Sequence, residues 1–135
     1  DYIHTLGLLH EDIKPTNVLV TDVGGKPQAK LIDFGLARVL RTPDGDAKKG
    51  EDGELTILGT PGFSAPEKVR GHKTDARSDI YSLAATIYAA ALGRKPFPGG
   101  NFEDALKAQV DWRPELAGVL LPMCGPVVAE LVGRM

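Results

Sequence analysis

The amino-acid sequence predicts a mainly α-helical bundle that carries one small β hairpin near its N-terminal end. Two runs with strand character, residues 18–20 and 29–32, are separated by a segment rich in turn residues. This pattern is typical of an antiparallel hairpin. From residue 78 onwards the apolar residues recur instead at helical spacing, which indicates a long helix. Short strands followed by helices therefore predict a helical body with a hairpin on top.

The composition is that of an ordinary globular domain. Of 135 residues, 42% are hydrophobic and 25% are charged, which argues against a disordered chain. The formal net charge of −2 gives no electrostatic reason to expect nucleic acid or an anionic membrane as a partner. No apolar run approaches the ~20 residues of a transmembrane helix. We therefore expect a cytoplasmic segment without membrane contact of its own, although an anchor elsewhere in the parent protein stays open.

The N-terminal half is predicted to consist of short elements. Residues 1–7 have the character of a helix end that stops at Gly7, a residue favoured just past a helix. Residues 8–9 begin a short, buried extended piece. The hairpin follows, with residues 21–27 as a loop longer than the tightest turns. Residues 41–56 are polar and Gly-rich, which predicts a long exposed loop.

The C-terminal half is predicted to contain three helices. The first runs from Ser78 to Gly93, and its width of apolar surface predicts burial on most sides. Its periodic apolar positions are Ile80, Leu83, Ala84, Ile87, Tyr88, Ala91 and Leu92. The second is capped by Asn101 and has two acidic residues in its first turn, where the helix dipole favours them. The third begins near Pro126.

Three short segments stand in a fixed order: HEDIKPTN at residues 10–17, DFG at 33–35 and GTPGFSAPE at 59–67. Together they resemble the catalytic loop, the metal-binding turn and the end of the activation segment of protein kinases. Residues 78–97 resemble the buried central helix of the same family. The resemblance implies that residues 1–135 are the C-terminal lobe of a eukaryotic-type (Hanks-type) serine/threonine kinase domain, from the end of helix E to about helix H. The N-terminal lobe and the final helices would then be missing.

The resemblance implies a catalytic role for three residues. Phosphoryl transfer needs an in-line nucleophile and a neutralised phosphate charge. Asp12 would orient the substrate hydroxyl or accept its proton, and Lys14 would reach the γ-phosphate as a point charge. A lysine at this position resembles the serine/threonine branch of the family more than the tyrosine branch. Thr60 matches the residue that hydrogen-bonds the catalytic aspartate and lysine in that branch.

The resemblance also implies a nucleotide site for ATP with Mg²⁺, or with Mn²⁺. Asn17 and Asp33 would hold the metal ion, since amide and carboxylate oxygens are hard ligands, and the hairpin would bring them together at adjoining strand ends. Lys14 would contact the phosphates, and Leu19 would form the floor of the adenine pocket. The implied partner is a protein substrate with a serine or threonine acceptor.

Five further residues match supporting positions of the family. His10 would pack against the metal-binding turn, which includes Phe34 and Gly35, and hydrogen-bond to it. Asp79 would accept backbone hydrogen bonds from the catalytic loop. Glu67 matches a residue that pairs in the family with an arginine further along the chain. That arginine would lie past the last residue of this sequence, so we expect Glu67 to lack that partner here.

Glu11 departs from the family pattern, which has an arginine that holds a phosphate on the activation loop. A carboxylate would repel a phosphate. We therefore predict that the parent enzyme does not depend on activation-loop phosphorylation through this contact. Glu11 would pair instead with a basic residue of the following segment. The candidates are Arg38, Arg41, Lys48 and Lys49.

Three other interpretations stay open. A pseudokinase would keep the fold without the chemistry; the retained Asp12, Lys14, Asn17 and Asp33 argue against it, but the phosphate loop, strand lysine and helix glutamate of a kinase are absent here. For the same reason we expect the chain alone to transfer phosphate poorly. A small-molecule phosphotransferase such as an aminoglycoside kinase typically lacks the lysine placement and the DFG and APE triplets. A plain helical interaction domain would have no reason to hold these residues together.

Overall fold

The computed structural model describes residues 2–34, 38–39, 59–97 and 100–110, and Glu130. The helices and strands in this part of the chain are α1 (Tyr2–Thr5), β1 (Leu8–Leu9), a 3₁₀ turn (Pro15–Asn17), β2 (Val18–Val23), β3 (Lys26–Leu31), β4 (Arg38–Val39), α2 (Pro66–Val69), α3 (Ala76–Leu92) and α4 (Phe102–Val110). The predicted loop at 41–56 lies outside the described residues. So does the helix predicted from Pro126, except for Glu130, which is helical and exposed.

The first elements agree with the prediction. Helix α1 is followed by Gly7 at φ 72°, whose N–H donates to the His4 carbonyl at 3.0 Å. Leu9 in β1 is buried, as expected for the short extended piece. Strand β1 pairs antiparallel with β4, a pairing that the sequence did not predict. Leu9 is therefore the buried position of these N-terminal elements, since α1 has no buried residue.

The hairpin is present, but its turn is shorter than predicted. Strands β2 and β3 pair in register from Val18 opposite Leu31 to Val23 opposite Lys26. Only Gly24 and Gly25 connect them, at φ 64° and 80°. Two-residue turns of this kind require left-handed backbone at both positions, which glycine adopts without a Cβ clash. The prediction of a longer loop was wrong because these two glycines allow the strands to continue to the tip.

Helix α3 begins two residues earlier than predicted. Asp75 is its N-cap: the Asp75 side chain accepts the Arg77 N–H at 2.8 Å, and the Ser78 hydroxyl accepts the Asp75 N–H at 3.2 Å. This reciprocal arrangement is a capping box. The helix ends at Gly93, in the left-handed conformation, as predicted.

Helix α3 is covered on most sides, as predicted, since only Arg77 and Ala90 are exposed, but its most buried positions are not the aliphatic ones. The aliphatic residues Ile80, Leu83 and Ile87 are only half-buried. The fully buried positions are mostly small or polar: Ser78, Asp79, Ser82, Ala84, Ala85, Thr86 and Tyr88. The hydroxyls of Ser82 and Thr86 donate to helix carbonyls one turn back, at 3.1 and 2.8 Å. The two buried hydroxyl donors are therefore satisfied. Helix α3 packs against the 3₁₀ turn.

Helix α4 confirms its predicted cap, since the Asn101 side chain accepts the Asp104 N–H at 2.8 Å. Ala105 is fully buried, and α4 packs against α2. The Gln109 side-chain amide donates to the Ser64 carbonyl at 2.8 Å. Helix α4 thus supports the segment that precedes α2. No helix in the described part of the chain is both long and apolar enough to cross a bilayer.

Candidate active site

The loop at residues 10–17 is anchored to α3 by one carboxylate. Asp79 is 3% exposed and accepts the backbone N–H groups of His10 and Glu11 at 2.8 and 3.0 Å. The His4 ring lies 2.9 Å from the same carboxylate. A buried carboxylate is tolerated only when such partners replace water. The start of the loop is therefore held in place against the first turns of α3.

His10 connects this loop to the turn after β3. Its ring is fully buried, with Nε2 at 3.1 Å from the Ile32 carbonyl and Nδ1 at 3.4 Å from the Asp12 N–H. A carbonyl only accepts and an amide only donates, so both contacts require a neutral ring with its proton on Nε2. The ring also packs against Phe34 at a centroid distance of 4.7 Å. Gly35, the other residue expected in this turn, lies outside the described residues.

Asp12, Lys14 and Thr60 form a closed ring of polar contacts. The Thr60 hydroxyl donates to Asp12 Oδ1 at 2.9 Å and accepts from Lys14 Nζ at 3.0 Å. Lys14 Nζ also lies 2.6 Å from Asp12 Oδ2. Carboxylate oxygens have two acceptor sites each, so Asp12 can still accept a proton from a further group. The structure thus brings together the three side chains that the sequence indicated as catalytic.

The segment that carries Thr60 is closely packed. Gly62 has φ 86°, and a Cβ at this position would lie 2.7 Å from the Phe97 carbonyl oxygen. Phe63 and Ser64 are buried, and the Ser64 hydroxyl donates to the Thr60 carbonyl at 3.2 Å. Only glycine fits the approach at position 62, so the backbone of this segment has little freedom to move Thr60.

Asn17 lies beside Asp12 with one end of its amide fixed. Its Nδ2 donates to the Asp12 carbonyl at 2.9 Å and lies 3.4 Å from Asp12 Oδ2. The Ile32 N–H donates to the Asn17 carbonyl at 2.9 Å, which extends the hairpin pairing by one step. Asp33 follows at once, at φ 64°. Left-handed backbone is uncommon outside glycine, and such positions concentrate at functional sites.

The oxygens of Asn17 and Asp33 suit a magnesium ion that arrives with a nucleotide. Among the described residues no group of three or more His, Cys, Asp or Glu side chains could hold a metal ion. Mg²⁺ bound with phosphates needs only one or two protein ligands, because phosphate oxygens and waters complete its shell. Since the nitrogen of the Asn17 amide is engaged with Asp12, its oxygen is the end that remains to serve as a ligand. The donor set therefore fits the expected ion.

Glu11 has partners that the sequence did not suggest. Its Oε2 lies 2.9 Å from Lys68 Nζ in α2, and Lys68 also donates to the Glu11 carbonyl. The Thr74 hydroxyl donates to Glu11 Oε1. The side chains of the four basic residues expected as partners lie outside the described part. No local sequence pattern relates Glu11 to Lys68, 57 residues further on.

Two other contacts were missed. Glu67 accepts a hydrogen bond from the Ser78 hydroxyl, so it has a partner within the chain, although not the arginine of the family pattern. The contact of His4, which reaches Asp79 from the end of α1, had no signal in the sequence either. Leu19, the expected floor of an adenine pocket, lies on β2 two residues after Asn17 and is 48% exposed.

Comparison with known proteins identifies the family. The family model described as "Protein kinase domain" matches residues 1–120. The chain is 41% identical over 133 residues to the serine/threonine-protein kinase pkn2 of Myxococcus xanthus, covering 98% of this chain and 15% of that protein. It is 33% identical over 132 residues to a probable serine/threonine-protein kinase of Streptomyces coelicolor, covering 98% and 19%. It is 36% identical over 96 residues to the probable serine/threonine-protein kinase PknB of Corynebacterium glutamicum, covering 71% and 14%.

The chain thus spans less than a fifth of the length of each of these relatives. Protein kinases act on protein substrates and use ATP with a divalent cation. The kinase description covers most of the chain, and the structure supplies the expected helices and small antiparallel sheets. The chain therefore belongs to the protein kinase family.

Proposed function

We propose that this chain is the C-terminal-lobe part of a serine/threonine protein kinase. The parent enzyme would transfer the γ-phosphate of ATP to serine or threonine hydroxyls of protein substrates. The observation that carries this proposal is the ring formed by Asp12, Lys14 and Thr60, in which each side chain contacts the other two. The relatives named as serine/threonine kinases support the same activity.

The ring supplies the groups that phosphoryl transfer requires. The acceptor hydroxyl oxygen attacks the γ-phosphorus while the bond from that phosphorus to the ADP oxygen breaks, and Asp12 takes the hydroxyl proton. Lys14, held by Asp12 and Thr60, offsets negative charge on the transferring group. Because these contacts exist before any substrate binds, little reorganisation is needed at the moment of reaction.

The hairpin supplies the nucleotide side of the site. Asn17 and Asp33 would hold Mg²⁺, or Mn²⁺, whose charge offsets that of the ATP phosphates. Leu19 offers an exposed apolar surface beside Asn17 on which an adenine ring can pack. Other large apolar side chains of the hairpin and of the turn after it are also exposed: Val20, Val23, Ile32 and Phe34. This surface supports the proposal that an N-terminal lobe covers the hairpin and completes the pocket. We propose the cytoplasm as the place of the reaction, and a membrane anchor of the parent, where it has one, would belong to another segment.

The test is phosphate transfer from γ-labelled ATP with Mg²⁺ to a generic basic protein, using the full-length protein. Asp12→Asn should lower the rate by about 10²–10⁴-fold, the usual contribution of a positioned acid–base group. Asp22→Asn is the matched control, because it makes the same change in β2 near the tip of the hairpin. Asparagine can still accept the Gly25 N–H there, so the rate should stay within about twofold of wild type.

When an aminoglycoside is offered beside the protein acceptor, this assay separates a protein kinase from a small-molecule phosphotransferase and from the two non-catalytic alternatives. A folded wild-type protein that transfers no phosphate would favour a pseudokinase. Label found on an aminoglycoside but not on protein would favour a small-molecule phosphotransferase. Label found on tyrosine alone would contradict the serine/threonine assignment.

A further inference from the structure

We propose that Lys68 and Thr74 are positioning residues that hold the site in its working arrangement through Glu11. We call the cluster of Glu11, Lys68 and Thr74 the Glu11 clamp. The proposal rests on the proposed function, and it adds a regulatory statement. The segment from Thr60 to Val69 is ordered on the catalytic loop by this internal contact, so no phosphate is needed to order it.

The clamp uses both carboxylate oxygens of Glu11 and its backbone carbonyl. Lys68 Nζ lies 2.9 Å from Oε2 and also donates to the carbonyl, while the Thr74 hydroxyl donates to Oε1. The side chains of Glu11 and Lys68 are each 11% exposed, and Thr74 is buried. The clamp is therefore largely shielded from water, unlike an ion pair on the protein surface.

Burial makes the two charges depend on each other. A charge removed from water is tolerated only when it is paired, so removing one partner of a buried pair leaves the other without compensation. The ion pair between Lys107 and Glu103 in α4 provides a contrast within the chain. It is slightly shorter, at 2.7 Å against 2.9 Å, but its side chains are 68% and 77% exposed. Loss of that pair should change little.

The clamp joins the two segments that build the catalytic ring. Glu11 immediately precedes Asp12 and has the uncommon φ of 70°, and its N–H is held by Asp79. On the other side, the Lys68 side chain lies against Gly59, where an added Cβ would be 3.3 Å from Lys68 Cε. Lys68 therefore contacts the residue before Thr60 and the residue before Asp12. Through these contacts Lys68 fixes the position of Thr60 relative to Asp12.

The sign of the charges bears on regulation. The catalytic loop contributes a carboxylate at position 11, and the cation comes from α2. A phosphate introduced close to Glu11 would have to compete with that carboxylate for the Lys68 ammonium, and the two anions would repel each other. The Lys68 ammonium already neutralises Glu11 without any modification. The arrangement therefore favours a segment that is ordered as soon as the chain folds.

The experiment compares Lys68→Met, Lys68→Arg and the control Lys107→Met in the full-length protein. One readout is kcat and the KM for ATP in the phosphate-transfer assay. The second is amide hydrogen exchange of residues 59–69 without nucleotide. Lys68→Met should lower kcat by about tenfold or more, because small misplacements of reacting groups have large effects on rate. The KM for ATP should stay within about twofold, since the nucleotide ligands are untouched.

Exchange of residues 59–69 should be faster in Lys68→Met and unchanged in Lys107→Met. Lys68→Arg keeps the charge and should recover most of the lost kcat. Wild-type kcat and exchange in Lys68→Met would overturn the proposal, as would a failure of Lys68→Arg to recover activity.

Lys68→Met is replaced by the double variant E11Q/K68M if the single variant does not fold, since the double variant leaves no unpaired charge. A folded double variant with wild-type kcat and exchange would also overturn the clamp. If the wild-type protein transfers no phosphate, the proposed function fails, while the exchange comparison still decides whether Lys68 orders the segment.

Discussion

The loop at residues 10–17 and the hairpin at residues 18–31 adjoin in the chain but are held in different ways. The loop is fixed by side chains from distant segments, since Asp79, Thr60 and Lys68 all contact it. The hairpin is held by backbone pairing between its own two strands. Many of its side chains are exposed.

This difference corresponds to what each region has to do. Side-chain contacts from several directions hold Asp12 and Lys14 at hydrogen-bonding distance from each other. The backbone ladder of the hairpin brings Asn17 and Asp33 to one end and leaves Leu19 exposed. Changes to the loop anchors should therefore have larger effects than changes to the hairpin.

The largest effect is expected from Asp79→Ala, which removes the acceptor for two backbone N–H groups of the loop and for His4. Buried donors without acceptors are costly, so the free energy of unfolding should fall by about 3 kcal/mol. Denaturant titration measures this fall. Asp104→Ala is the control, since Asp104 also lies in the first turn of a helix but is exposed. Equal effects of the two changes would contradict the anchoring role of Asp79.

A smaller effect is expected at the hairpin turn. Gly24→Ala places a Cβ on left-handed backbone and should lower the free energy of unfolding by about 1 kcal/mol. Gly24→Asn should lower it less, because asparagine is favoured in turns of this type. The same titration compares the two variants. An alanine variant as stable as wild type would show that the turn does not need this conformation.

The smallest effect concerns the cap of α3, the helix that carries Asp79. The Arg77 side chain, and then its backbone N–H, hydrogen-bond Asp75 and hold the pKa of its carboxyl below the ordinary value of 3.8. A lowered folded-state pKa stabilises the fold above the ordinary value, and this contribution is lost as the pH falls below it. Asp75→Asn keeps a good cap but does not titrate. Wild type should therefore lose stability relative to Asp75→Asn below pH 3.8, measured by unfolding at several pH values. Parallel pH profiles would contradict this.

Much of the fold could be predicted because it depends on local signals. The end of α1 at Gly7, the end of α3 at Gly93 and the Asn101 cap of α4 all follow from residue types at helix ends. The start of α3 was missed because Asp75 lies before the apolar pattern begins. The hairpin turn was predicted too long because the strand residues near its tip have little strand character of their own.

The candidate site was only partly predictable, for a physical reason. The motifs indicated Asp12, Lys14 and Thr60 through their order in the sequence. The contacts of Glu11 with Lys68, and of His4 with Asp79, join residues 57 and 75 positions apart. Such pairs arise from tertiary packing and leave no periodic or neighbouring signal. The predicted partners of Glu11 were therefore basic residues between positions 38 and 49.

The most direct test of the account is whether Asp12 and Thr60 act as one unit in phosphate transfer. The measurement is a double-mutant cycle on kcat with Asp12→Asn, Thr60→Val and the double variant in the full-length protein. We predict that kcat of the double variant is lower than that of Asp12→Asn by no more than about twofold, because one broken contact already disrupts the ring. Losses that multiply across the two positions would contradict this prediction, since Thr60 would then act independently of Asp12.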